Sequence, residues 1–190
     1  MSASKIIGRT KITCMDIECA VADYFGVRAN LIVPNVSWGL CIHECDLLVV
    51  TKAGYCYEVE IKTSRSDLKA DMRKQHGHNS KHIRRLYFAI PTKLMDSIEF
   101  VPARAGILEV SVRSKGAYPS CKCIREPETL PAQKLSDEER FQVARLGTMR
   151  IFPLKEIVRQ KVAEIGHYIS QQRHAGREDA PQICEAQTSA

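Results

Sequence analysis

From Tyr55 to Lys62 the first residues are Tyr-Cys-Tyr, and from there apolar and charged side chains alternate one for one. A strand sends successive side chains to opposite faces. Tyr55, Tyr57, Val59 and Ile61 therefore make an apolar side, and Cys56, Glu58, Glu60 and Lys62 make the other. A second strand-like run, Asp46-Leu47-Leu48-Val49-Val50, precedes it, and Thr51-Lys52-Ala53-Gly54 reads as the turn of a hairpin. That hairpin would set Asp46 beside Glu60 and Lys62.

The same patterning predicts the remaining elements. Residues 10–25 read as a helix, with Thr13, Asp16 and Asp23 on a polar side and Cys14, Met15, Val21, Ala22 and Phe25 opposite. Glu18 falls among these apolar residues. An inward acid is costly unless paired or metal-bound, whereas one at the edge of the stripe can reach solvent, and both readings stand. Leu31-Ile32-Val33 reads as the first strand, stopped by Pro34. Ser64 or Ser66 can cap a helix over residues 67–75, with Asp67 at its positive end and Gly77 as its stop. Arg85-Leu86-Tyr87-Phe88-Ala89-Ile90 suits a fully buried strand. Strand, helix, strand makes a βαβ crossover, so these two strands should run parallel. A further strand is expected over residues 107–112 and a loop over residues 115–131.

Ser136 with Glu139 three residues on has the capping-box pattern, so a helix should start there and run to about residue 149. Pro153 should interrupt it before a second helix, about residues 154–172, striped by Ile157, Val158, Val162, Ile165 and Ile169. The polar tail from His174 is expected to be disordered. The organisation expected is a core over 1–113, a loop over 114–135, helices over 136–173 packed on or appended to the core, and a tail over 174–190.

Composition narrows the class. The chain has 190 residues, 44% hydrophobic and 26% charged, as a globular protein does. No apolar run approaches a membrane span, and the N-terminus lacks the apolar stretch of a signal peptide, so a cytoplasmic protein is expected. Eight cysteines without a secretory signal are expected to be free thiols. Cys41, His43 and Cys45 would lie on one face of an extended strand and could not easily converge on a tetrahedral ion, and paired Cys-x-x-Cys knuckles are absent.

Charge is concentrated. Of the net +6, all is accounted for between Lys62 and Arg85, where eight basic residues face two acids, Asp67 and Asp71. A basic block beside carboxylates suits a polyanion held against a metal site, although charge runs are usually solvated helix faces. Two carboxylates and an ammonium in one cluster are what metal-assisted phosphodiester hydrolysis needs. Glu-x-Lys on a strand is also common as plain surface ion pairing.

These residues resemble the PD-(D/E)XK nuclease superfamily, whose signature is an acid opening one strand and an acid-x-Lys on the next. The likeness extends to MmcB-like DNA-repair and related phage or bacterial proteins. It is carried by Asp46, Glu60-Ile61-Lys62, Ser66-Asp67-Leu68-Lys69-Ala70-Asp71 and Arg85-Leu86-Tyr87-Phe88-Ala89-Ile90-Pro91. It covers about residues 14–112, and residues 43–91 most specifically. Two features depart from it. No proline precedes Asp46, and Met72-Arg73-Lys74-Gln75-His76-Gly77-His78 stands where MmcB-like chains have Lys-Trp and a tyrosine.

The resemblance implies an α/β fold, a restriction-endonuclease-like mixed β-sheet flanked by helices, here with a C-terminal helical extension. It implies a Mg²⁺- or Mn²⁺-dependent endonuclease acting on DNA in repair or phage or bacterial DNA processing. Asp46 and Glu60 would hold the ion, with the Ile61 carbonyl as a backbone ligand and Glu18 completing the shell. Lys62 would hold the water or the scissile phosphate, and Glu58 would stand farther out. Arg65, Lys69, Arg73 and Lys74 would contact the nucleic-acid backbone. His76 and His78 would touch phosphates or carry protons, or else be solvated loop histidines. The alternatives are a non-catalytic DNA-binding repair module on the same fold and an RNA-directed nuclease. A homodimer is a further expectation, since dimers are frequent where both strands are cut.

Overall fold

The computed structural model describes residues 12–36, 43–71, 78–112 and 117–178. The fold is α/β: a six-stranded mixed sheet flanked by helices, with a long C-terminal helix. The strands are β1 (Leu31–Val36), β2 (Cys45–Val50), β3 (Cys56–Ile61), β4 (Ile83–Pro91), β5 (Gly106–Ser111) and β6 (Ser120–Arg125). They lie side by side in chain order. β3 runs parallel to β4, and β4 to β5; the other neighbours are antiparallel. The predicted hairpin is therefore β2–β3, and the predicted parallel crossover is β3–β4.

The hairpin turn is built by Thr51 and Gly54. The Tyr55 amide donates to the Thr51 hydroxyl at 3.1 Å, and the Gly54 amide donates to the Thr51 carbonyl at 2.8 Å. Gly54 sits at φ 88°, a left-handed conformation that glycine adopts without a Cβ clash.

One face of the sheet carries α1 (Cys14–Phe25). Thr13 caps this helix reciprocally with Asp16. Its buried residues are Ile17, Ala20 and Val21, packed on Leu47, Val49, Val59, Ile61, Tyr87 and Ala89. Cys14 and Met15, expected on the inner side, are exposed. The sheet takes the narrower stripe centred on Ile17, because a helix on a flat sheet buries only the residues facing it.

The opposite face carries α2 (Arg65–Asp71), a 3₁₀ segment (Thr92–Phe100) and the start of α3 (Asp137–Glu178). Ser64 caps α2, its hydroxyl accepting the Asp67 amide at 3.2 Å. Leu68 of α2 is fully buried against Leu86, Phe88, Ile90 and Ile107. Burial of such a leucine is worth about 2–3 kcal/mol, enough to anchor a helix this short. Val143 of α3 packs with Val33, Leu48, Val50 and Cys56. A central strand covered on both sides has no solvated face, and β3 is such a strand.

Four expectations need correction. β1 passes through Pro34, which an edge strand tolerates because its outward N–H is not needed. Residues 120–125, expected as loop, form edge strand β6; Cys121 and Cys123 supply the apolar alternation and pack on the α1 side of the sheet. Pro153 does not end the C-terminal helix, and α3 continues to Glu178, past the point where a disordered tail was expected. Proline removes one N–H donor, and the carbonyl it leaves, that of Met149, belongs to an exposed residue that water can reach. The chain divides into units of residues 1–147 and 148–190, with β6 and the first turns of α3 in the first unit. In the second unit Ile157, Val158, Val162, Ile165 and Ile169 form an exposed apolar stripe. No helix among the described residues is long and apolar enough to cross a membrane.

Candidate active site

The hairpin register that pairs Leu47 with Val59 brings Asp46 to the end of β3. Its Oδ2 accepts the Ile61 amide proton at 2.7 Å, between Glu60 and Lys62. Asp46 thus reaches the Glu-x-Lys segment, as the alternation implies. The burial was not foreseen: Glu58, Glu60 and Lys62 are 0%, 1% and 8% exposed. Their partners are one another, Asp71 of α2, His43 and His78 rather than solvent.

Buried charges must be paired, and here they form one chain of contacts. Lys62 Nζ donates to Glu60 Oε2 at 2.5 Å and is ion-paired with Asp71 Oδ1 at 2.9 Å. Asp71 Oδ2 accepts from His78 Nε2 at 2.7 Å. The other ring nitrogen of His78, Nδ1, donates to Glu58 Oε1 at 2.6 Å. Glu58 Oε1 also accepts from His43 Nε2 at 2.7 Å. The order is Glu60, Lys62, Asp71, His78, Glu58, His43, drawn from β3, the end of α2 and the segments preceding β2 and following α2.

The ionisation pattern follows from these contacts. Burial alone would lower the His78 pKa, but hydrogen bonds to Asp71 and Glu58 outweigh it and raise it to about 9. Burial would likewise lower that of Lys62, and Glu60 and Asp71 reverse the direction, raising it. Burial would raise the Glu58 pKa, yet its two histidine partners pull it below the usual carboxylate range. At the edge of the cluster, burial and then the charge of Asp46 push the half-buried Glu18 upward. The thiol of Cys14, partly shielded although the residue is exposed, is pushed up by that desolvation, Glu18 and Asp46. Glu18 and Asp46 therefore feel one another across the strand end.

Formal charges then count as follows. Lys62 and the His78 imidazolium offset two of the three acids Glu58, Glu60 and Asp71. The third acid, with Asp46 and Glu18, leaves a negative excess at one end of β2 and β3. An all-oxygen donor set with excess negative charge suits a hard divalent cation such as Mg²⁺ or Mn²⁺. Among the described residues, two groups of three donors have ligand atoms within 4.8 Å of one another: His43, Glu58 and His78, and Glu60, Asp71 and His78. Asp46 belongs to neither. The contacts in the first group are 2.6 and 2.7 Å. Two ligands on one tetrahedral zinc ion stand about 3.3 Å apart, given Zn–N and Zn–O distances of about 2.0–2.2 Å. The observed spacing is that of hydrogen bonds.

The structure thus brings Asp46, Glu60, Lys62 and, more distantly, Glu18 to one place. Arg65 and Lys69 are exposed on α2, near the Phe100 ring, and Arg65 pairs with Glu99 at 3.2 Å. Arg73, Lys74 and His76 lie outside the described residues. His78, expected to meet phosphates or solvent, is 3% exposed and enclosed between Glu58 and Asp71. As a nucleic-acid contact it is therefore corrected, because two buried carboxylates hold its ring inside. Asp71 and His43 were missed as members of the cluster; Glu58 stands one step back from Lys62, reaching it through His78 and Asp71. Asp71 carried a local signal, standing three residues after the inward Leu68 on the same helix face. His43 carried none.

No family model and no curated protein matches the chain. Among solved structures, the chain is similar to the SPO1766 protein of unknown function from Silicibacter pomeroyi. The identity is 18% and the TM-score 0.49, over 74% of this chain and 86% of that one.

Proposed function

We propose that the chain is a Mg²⁺- or Mn²⁺-dependent nuclease that hydrolyses DNA phosphodiester bonds. One observation supports this most: Asp46 is hydrogen-bonded to the backbone amide between Glu60 and Lys62, so two acids and an ammonium meet at one strand end. In this reading Asp46 and Glu60 hold the ion, with the Ile61 carbonyl and Glu18 as further oxygen donors. When bound, the ion supplies Lewis-acid polarisation of the phosphate and acidifies water. Lys62 presents its ammonium to the scissile phosphate and offsets charge developing there. Burial around Lys62 strengthens that interaction by excluding water. Arg65 and Lys69 on α2, with Arg73 and Lys74, hold the phosphate backbone; such contacts position the substrate and carry no base readout.

A second reading is a non-catalytic DNA-binding module. It is favoured by the engagement of Lys62 with Glu60 and Asp71, which would let the acid–lysine pair serve structure alone. A panel of labelled DNA and RNA duplexes, flaps, junctions and single strands, run with Mg²⁺, Mn²⁺ or EDTA, separates the readings. Metal-dependent cleavage lost in Lys62→Met supports the nuclease. Binding without cleavage on every substrate supports the module, and cleavage confined to RNA would redirect the substrate assignment.

A further inference from the structure

We infer that Asp71 and His78 are positioning residues for Lys62, which they hold at the strand end from behind. The inference rests on the nuclease reading for its purpose, and on geometry for its content. A lysine has four rotatable side-chain bonds and a mobile ammonium. Two carboxylates fix this one, and they differ in origin. Glu60 lies two residues away on the same face of β3 and would be shared with a metal ion. Asp71 comes from α2 and has its other oxygen on His78. Asp71 is the lysine's second anchor, and it can keep hold of Lys62 if Glu60 turns toward a cation.

Asp71 is itself held from two sides. Leu68, three residues earlier, is fully buried in the sheet-side core and sets the height of α2. His78 grips the carboxylate through Nε2, while its Nδ1 is fixed by Glu58, which His43 also grips. The backbone at His78 shows the same constraint. Its φ is 56°, left-handed for a residue with a Cβ, and such conformations persist only where the surroundings over-determine them. The Arg104 guanidinium donates to the His78 carbonyl at 3.2 Å and braces that conformation. The line of contacts from His43 to Lys62 is thus continuous, buried and built on separate elements. Nothing in the core packing requires such a line: hydrophobic residues of similar volume would fill the space at lower desolvation cost.

The test uses the full chain labelled with ¹⁵N. A lysine ammonium gives a resolved ¹⁵N–¹H signal only when it is ordered and exchanges slowly with water. The wild type should show such a signal for Lys62, identified by its loss in Lys62→Met, and a His78 ring with protons on both nitrogens. Asp71→Asn and His78→Gln should each lose the Lys62 signal while keeping the far-ultraviolet circular dichroism of the parent. On a cleaved duplex each should lower kcat about 100-fold, the scale expected for a misplaced catalytic group, with KM changed less than threefold. Retention of the Lys62 signal in both variants would overturn the inference, as would one bare His78 nitrogen in the wild type. That last measurement needs no variant and decides alone if both substitutions unfold the chain. Loss of the signal in both variants, with no metal-dependent cleavage by the wild type, would uphold the anchor and refute the nuclease reading.

Discussion

Raising the pH from about 6 to about 10 should remove about 3 kcal/mol of stability through His78 alone. The folded-state pKa of this imidazole is raised from 6.5 to about 9 by Asp71 and Glu58, which outweigh its burial. One pKa step is worth about 1.4 kcal/mol, so the rise amounts to about 3 kcal/mol. The sign follows from proton counting: between about pH 6.5 and 9 the native state holds a proton that the unfolded state has lost, so stability falls as pH rises. The contribution is complete below the unfolded value and gone above the folded one. Other groups act at the alkaline end. Burial pushes the thiols of Cys45, Cys56 and Cys121 well up, so they ionise first in the unfolded chain and steepen the loss above about pH 8.5. The quantity to measure is therefore the difference between wild type and His78→Gln. Urea unfolding at half-unit pH intervals gives both curves. The gap should be widest near pH 6 and narrow by about 3 kcal/mol toward pH 10. Parallel curves would show that His78 does not carry a proton between the two carboxylates, and the reasoning from burial and pairing would fail.

Other expectations concern the strand end and the basic helix. Asp46→Asn keeps an acceptor for the Ile61 amide but removes the charge, so it should cut Mn²⁺ affinity at least tenfold in calorimetric titration with little change in melting temperature; Glu60→Gln should do the same to affinity, and unchanged binding in both would discard the ligand assignment. Glu18→Gln should lower turnover while leaving DNA affinity within about twofold; full activity would return Glu18 to a helix-edge role. Reversing the charges of Lys69, Arg73 and Lys74 together should weaken binding to all duplex sequences alike and flatten the log–log salt dependence by about 0.9 per lost phosphate contact; an unaltered slope means that these basic residues do not touch the backbone. Leu68→Ala should cost about 2–5 kcal/mol and, by loosening α2, weaken the Asp71 contact to Lys62.

Local pattern alone was enough for some of this molecule. The alternation from Tyr55 to Lys62, the glycine turn at Gly54 and the apolar run to Pro91 are signals within a few residues, and they determined the β2–β3 hairpin, the β3–β4 crossover and the meeting of Asp46 with Glu60 and Lys62. The Ser136–Glu139 capping box is of the same kind. Edge strand β6 was harder to see, because a half-exposed strand needs few apolar residues and uses two cysteines for them. Only the tertiary structure decided that the polar face of β3 is buried. A period of two says which side chains share a face, but not whether a helix will cover it. The line from His43 through Glu58, His78 and Asp71 to Lys62 was likewise out of reach. Its members come from four segments that become neighbours only when α2 folds back over the sheet, and hydrogen-bond partners fixed by that packing leave no periodicity in the chain.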